Sequence, residues 1–438
     1  MEKSIFIDGR NLGLEKGTGV ATYARNLSYC LRDLGFRVGV LYGQRAAPSL
    51  RTLLREIAFF DANAGDTPAW LASLRTLKDL VTAPLGFGAN RVPITGNVIL
   101  DTFRSRLPHF DVIYNSPDLF LRAQYLFGIL KRMHKVYLPE KPDLIHWTYP
   151  LPLRIKGVPN IYTLHDLVPL RLPYTTLDNK RRYYELVRKI AKTADHIATV
   201  SEASKTDLVR LFKIPESRIT NTYQSVNIPS KYAEKPIDVV QREIEGTFSL
   251  PFGGYFLFWG SIEPKKNIGR MIEAYLASKV ASPLVIVGAQ AWKSEEELRL
   301  LYDDNIRSLI HVGNETRSKS RVIQLSYVPF PLLVSLIRAA RATLFPSLYE
   351  GFGLPVLESM MLGTPVLSSK TASVPEVAGD AAILVDPYDT KEIAEGIREL
   401  DGNEGLRTYL SEKGRLRSSL FSEEKYKVKL QSIYSSVL

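Results

Sequence analysis

The sequence predicts an α/β protein built on parallel sheets, and three observations carry that reading. Short apolar runs rich in β-branched residues alternate with helical patterns along most of the chain, as strand–helix–strand units require. The 438 residues exceed one ordinary domain of roughly 100–200 residues. A polar segment with proline or glycine at 229, 236, 246 and 251 interrupts the rhythm over 228–252, which predicts a linker between two doubly wound domains.

In the first half the strand runs are 4–9, 37–42, 111–115, 143–147, 160–165 and 196–201, with helices over 20–34, 181–193 and 201–212. In the second half they are 255–260, 283–288, 321–328, 342–347 and 382–386, with helices over 267–280, 331–340 and 389–400. Residues 43–110 fit the alternation poorly and read as an insertion. The expected units are 1–235, 236–421 and a last amphipathic helix over 422–438 that starts from a Ser422 cap.

Composition removes several classes. With 45% apolar and 24% charged residues, intrinsic disorder is excluded as the main state. The one cysteine, Cys30, can neither close an internal disulfide nor build a thiolate metal cage. The most apolar stretch, LFLRAQYLFGIL at 119–130, is too short to span a bilayer and is interrupted by Arg122. Asp8 and Arg10 arrive too early for a signal peptide, so a cytoplasmic location is expected, with the inner membrane face an open alternative. The net charge of +11 suggests a polyanionic partner. The basic clusters at 130–135 and 178–189 read first as solvated helix faces.

The chemistry concentrates in LFPSLYEGFGLPVLESMMLGTPVLSS (344–369). An apolar strand runs into a loop with Gly351 and Gly353, and a helix opens with Pro355 in its first turn. Such a junction aims free main-chain N–H groups outward, which suits a phosphate. Seven residues separate Glu350 at the loop mouth from Glu358 in the helix. A carboxylate beside phosphates needs another task, and accepting a ribose cis-diol suits Glu358. In FWGSIEPKKNIGRMIEAY (258–275), Lys265 and Lys266 precede Asn267, read as a cap, and can offset a leaving diphosphate. Gly17, Thr18 and Gly19 open the first long helix as a tight turn. His165 and Asp166 stand at a strand end, the side on which open α/β sheets bind ligands. No D-x-D clamp and no H-E-x-x-H occurs, so no metal and no cofactor is expected.

These segments together resemble the retaining GT-B glycosyltransferases of family 4, also called group 1. EGFGLPVLE (350–358) is similar to that family's E-x7-E motif and GSIEPKKN (260–267) to its G-x-x-E-P-R-K-N segment. GTGVATYARNL (17–27) resembles its first glycine loop, and HDLVPL (165–170) its H-D segment. The resemblance implies a two-domain GT-B fold, with the final helix crossing back to the first domain. It implies Glu350, His165 and Lys266 as catalytic residues. Donor binding would fall to Gly17, Thr18, Gly19, Ser261, Lys265, Lys266, Tyr327, Val328, Glu350, Gly351, Phe352, Gly353, Leu354 and Glu358, with the nucleobase against the main chain of Tyr327 and Val328. Asp166 would touch the acceptor. Lys265 stands where the family often has Arg, a point charge in place of a bidentate fork.

HDLVPLRLP (165–173) looks most like mannosyltransferases that use GDP-mannose. The implied function is transfer of a hexose to a polysaccharide or lipid-linked acceptor in cell-surface polysaccharide synthesis, with acceptor choice and membrane contact expected in the unmatched 43–110. A UDP-sugar transferase, a sugar-nucleotide epimerase on the same fold, and a non-catalytic binder of anionic membrane or nucleic acid remain alternatives. Nucleic acid is not the expected partner.

Overall fold

The computed structural model describes residues 3–12, 19–45, 51–61, 85–99, 107–289, 294–302, 307–312 and 315–438. Each of the eleven apolar runs contains a strand. The first sheet is assembled from β1 (Ser4–Asp8), β2 (Arg37–Tyr42), β3 (Asn90–Val92), β4 (Val112–Asn115), β5 (Leu144–Trp147), β6 (Asn160–Thr163), β7 (His196–Thr199) and β8 (Ile219–Asn221). Its order is β8-β7-β6-β5-β1-β2-β4-β3, parallel except for β3 against β4. The second contains β9 (Phe256–Trp259), β10 (Leu284–Val287), β11 (Val322–Leu325), β12 (Ala342–Phe345), β13 (Val366–Ser369) and β14 (Ile383–Val385). Its order is β11-β10-β9-β12-β13-β14, all parallel. The inner strands are buried on both faces because helices cover each side, which is why these runs are continuously apolar.

Each sheet starts in its middle and winds outward both ways. The direction reverses between β1 and β5 in the first sheet and between β9 and β12 in the second. A crevice opens at such a reversal, outside the carboxyl ends of the strands, and that is where ligands bind in this architecture.

The helices around the sheets include α1 (Gly19–Asp33), α2 (Leu119–Leu130), α3 (Lys180–Thr193), α4 (Glu202–Phe212), α5 (Ile237–Phe248), α6 (Leu354–Met361) and α7 (Glu423–Val437). The expected linker over 228–252 is largely helical. Pro236 sits at the cap of α5, where prolines start helices rather than break them, and Val240 and Ile244 are buried. Ser422 caps α7 by accepting from the Lys425 N–H. That helix packs back onto the first half, where Lys427 pairs with Asp33 at the end of α1 at 2.7 Å and the Tyr434 hydroxyl meets His146 Nδ1 of β5 at 2.8 Å. His146 Nε2 continues the buried chain to Thr163 at 2.7 Å, and burial pushes the imidazole down to about 3.

Candidate active site

The reversal between β9 and β12 brings the two richest motifs of the second half together. β9 ends at Trp259 and leads through Gly260 into a 3₁₀ turn over Pro264–Lys266. β12 ends at Phe345 and leads through Glu350 into α6. A main-chain bond from the Leu348 N–H to the Lys265 carbonyl, 2.8 Å, ties the two loops. Asn267 is not the side-chain cap that its residue type suggests. It sits at φ +60° and its amide donates to the carbonyls of Pro346 (2.9 Å) and Pro387 (2.6 Å), so it fastens the loops instead.

Within this frame the Lys266 ammonium donates to Glu350 Oε1 at 2.7 Å, and both side chains are largely buried. Burial by itself would raise the Glu350 carboxyl, but Lys266 and Lys265 outweigh it and hold it below its ordinary value. Ser373 Oγ donates to the Glu350 carbonyl at 2.8 Å and fixes the loop. Gly353 takes φ +99°, a left-handed conformation that costs glycine nothing, and so turns the chain into α6. The N–H groups of Gly351, Phe352, Gly353 and Leu354 have no acceptor among the described residues. Free donors beside a helix start are the kind of group that suits an anion.

Glu358 lies one turn into α6, with the Trp259 indole N–H donating to its Oε2 at 3.2 Å. Burial pushes its carboxyl up to about 7, since among the described residues the indole is its one neutralising contact and no cation is paired with it. The exposed side chain of Tyr327 and the buried Val328 follow β11 on the same edge of this sheet. Ser261 follows Gly260 in the loop after β9.

The first sheet supplies the opposite wall. Asp8 at the end of β1 accepts from the Thr148 hydroxyl at 3.0 Å, and burial pushes its carboxyl up to about 6. The Thr148 carbonyl meets His165 Nε2 at 2.9 Å. A carbonyl only accepts, so Nε2 carries the proton and Nδ1 is left as an acceptor. Burial holds this imidazole below its ordinary value, hence neutral. Gly351 is in contact with this wall: a methyl there would stand 3.0 Å from the His165 carbonyl and 3.2 Å from Asp166 Oδ2. Likewise a methyl on Gly19 would come within 3.3 Å of Leu354. Gly17 and Thr18 lie outside the described residues.

Two further contacts hold the halves together. The Tyr349 hydroxyl donates to Asp207 at 2.7 Å, and the Glu376 carboxylate accepts the first two N–H groups of α4, from Glu202 (2.8 Å) and Ala203 (3.1 Å).

Between the walls a cleft of about 620 Å³ is lined by Tyr149, His165, Asp166, Asp178 and Arg182 on one side and by Glu263 and Lys265 on the other. Burial alone would lower the Lys265 ammonium, yet Asp166, Glu263 and Glu350 raise it well above its ordinary value. The two lysines thus diverge, Lys266 toward Glu350 and Lys265 into the cleft, with Glu263 3.4 Å away. Among the described residues, none of the cleft lining comes from 43–110; Val20 and residues within 149–150 and 165–183 form that wall. Trp259, Glu263, Tyr149 and Arg182 were not picked out as site residues from the sequence. Glu263 lies inside the G-S-I-E-P-K-K-N segment and Trp259 just before it, Arg182 falls in the basic cluster at 178–189, and Tyr149 had no signal.

Residues 253–417 match the family described as Glycosyl transferases group 1, and residues 97–228 match Glycosyltransferase Family 4. The chain is 32% identical over 301 residues to O-antigen chain mannosyltransferase B of Escherichia coli, covering 67% of this chain and 72% of that one. It is 27% identical over 283 residues to the serotype-specific mannosyltransferase WbdA of Escherichia coli, covering 63% of this chain and 33% of that longer protein. Among solved structures, Anabaena Alr3699/HepE in complex with UDP-glucose aligns at a TM-score of 0.63 and 15% identity over 100% of both chains. Two outward-wound parallel sheets facing one cleft, with a glycine turn at the reversal of the second, have the GT-B glycosyltransferase architecture. The chain belongs to the group 1 glycosyltransferases and is similar to their mannosyltransferases.

Proposed function

We propose that this glycosyltransferase moves mannose from GDP-mannose, with retention of anomeric configuration, to a polysaccharide or lipid-linked saccharide acceptor in polysaccharide biosynthesis. The observation that carries the reading is the group at the β9/β12 reversal: unpartnered amides of Gly351–Leu354, the Lys266–Glu350 pair, and Glu358 with no cation of its own among the described residues. Similarity to an O-antigen chain mannosyltransferase supports the sugar and the acceptor class.

In this reading the amides and Lys266 hold the donor diphosphate, and Glu358 accepts two ribose hydroxyls. Breaking the glycosyl–phosphate bond leaves negative charge on the phosphate and positive charge on the sugar ring. Fixed donors at the first and the Glu350 carboxylate near the second are stronger in the transition state than in the ground state. His165 Nδ1 accepts from a hydroxyl of the transferred sugar and orients it. The acceptor hydroxyl attacks from the face that the phosphate leaves, and the departing oxygen takes its proton, so no protein nucleophile is needed. Lysine charge does the work that a divalent cation does elsewhere, and the transfer requires no metal. The enzyme works at the inner face of the cytoplasmic membrane.

The test is thermal-shift and calorimetric binding of GDP, UDP, ADP and their sugar conjugates to wild type, Glu358→Ala and Lys266→Ala. Stabilisation by GDP and GDP-mannose that both variants lose supports the reading. Stabilisation by UDP-glucose instead would shift the donor to a uridine sugar, and no shift by any nucleotide would sink the donor site altogether.

A further inference from the structure

Three sequence features are unused by the catalytic reading: the apolar run at 119–130 and the basic clusters at 130–135 and 178–189. The fold brings them to one face. α2 buries Leu119, Phe120, Ala123, Leu126 and Phe127 against the first sheet. Its outer side presents Leu121, Tyr125 and Ile129, which are 52%, 52% and 50% exposed. Spaced by four, they form a single stripe along the helix. A surface helix of a globular protein normally turns polar residues outward. Here only Arg122, Gln124 and the Tyr125 hydroxyl are polar.

α3 lies alongside. A methyl on Gly128 of α2 would sit 3.6 Å from the Arg182 guanidinium. α3 carries six cations, Lys180, Arg181, Arg182, Arg188, Lys189 and Lys192, against one acid, Glu185, which Arg188 already neutralises at 2.6 Å. Lys131 and Arg132 extend the charge past the end of α2, and both are exposed.

We propose that the α2–α3 face docks on an anionic lipid bilayer. The combination is what an interfacial helix needs, apolar side chains to enter the acyl boundary and flanking cations to meet anionic headgroups. A nucleic acid would use the cations but has no counterpart for an aliphatic stripe. Placement supports the choice. Gln124 and Phe127 of α2 share a crevice with Tyr149, Asp178 and Arg182, and those last three also line the catalytic cleft. A saccharide anchored in the docked membrane therefore reaches His165 along a continuous surface. That last step rests on the lipid-linked acceptor proposed above; the docking itself does not.

The test is flotation of the full chain with vesicles of phosphatidylcholine containing 30% phosphatidylglycerol, against phosphatidylcholine alone, at low and at high salt. Wild type floats with the anionic vesicles and binds the neutral ones about tenfold or more weakly, and salt reduces binding. L121S/Y125S/I129S and, separately, R132E/R181E/K192E, three exposed cations, lose at least tenfold in binding. Turnover on a water-soluble acceptor and the thermal midpoint stay unchanged, because these side chains already face solvent. Wild type that stays in the aqueous phase, or a stripe variant that floats like wild type, overturns the proposal. So does binding to a DNA duplex that the stripe variant retains while no vesicle binds. GDP-mannose thermal shifts on the same samples separate a failure of docking from a failure of the donor site.

Discussion

Replacing Glu358 by glutamine should make the enzyme more stable and less able to hold its donor. The carboxyl is largely buried, among the described residues its one hydrogen bond comes from Trp259, and burial moves its ionisation from 4.5 to about 7. A folded-state value above the unfolded one means that protonation favours folding. The carboxyl therefore costs nothing below pH 4.5, and its penalty grows until about pH 7 and is complete above that. Moving a carboxyl from 4.5 to about 7 is worth about 3 kcal/mol, an upper figure for the gain at pH 8 in Glu358→Gln, which keeps an acceptor for the indole. The unliganded thermal midpoint should rise by several degrees at pH 8 and by nothing near pH 4.5. Donor binding should move the other way. Glutamine has one acceptor oxygen, so one ribose hydroxyl loses a charge-assisted bond of about 1.5–3 kcal/mol, or roughly 10- to 150-fold in affinity. Calorimetry and scanning fluorimetry read both effects on one sample. A variant with no change in midpoint at pH 8 and donor affinity within threefold of wild type would refute the reasoning.

Other outcomes follow from the same geometry. Wild-type donor affinity should rise with pH through about 7 as Glu358 ionises, and the excess over Glu358→Gln in a calorimetric pH series should vanish below pH 5. Lys266→Ala leaves the Glu350 carboxylate buried without its 2.7 Å partner, so turnover should fall at least 100-fold and thermal stability should drop, both checked beside Lys266→Arg. Gly351→Ala puts a methyl 3.0 Å from the His165 carbonyl of the facing wall; kcat should fall more than tenfold with donor affinity within threefold, and an unchanged kcat would show that the two walls need not close. A chelator should leave initial rates unchanged, whereas loss restored by added magnesium would replace the lysine-based account of the leaving group.

Local pattern carried most of the fold. Every β-branched run became a strand because parallel strands buried on both faces must be continuously apolar. The sequence was silent where distant segments decide the structure. β13 is hidden inside a motif whose glycines and carboxylates dominate its pattern. The 228–252 segment reads as a linker from its prolines, but Pro236 occupies a helix cap and Val240 and Ile244 found a core. Asn267 has the residue type of a cap, yet Pro346 and Pro387 claim its amide.

The candidate site was legible for the same reason in its second-half motifs, where Glu350, Glu358 and Lys266 fall within short segments of strand and turn. Their partners were not. The Trp259 indole lies 99 positions from Glu358, and the Tyr349–Asp207 and Glu376–α4 contacts join opposite walls of the cleft. The residues that line the cleft from the first half, Val20, 149–150 and 165–183, were not legible as a group, because their side chains meet only once α1, β5, β6 and α3 have packed.

The most direct measurement is the anomeric configuration of the product, read by NMR, when the enzyme is given GDP-α-mannose and a mannose-terminated oligosaccharide in the presence of a chelator. Transfer giving an α-linked product, abolished in Lys266→Ala, is the predicted result. A β-linked product, or release of free mannose with no transfer to any acceptor, would contradict it.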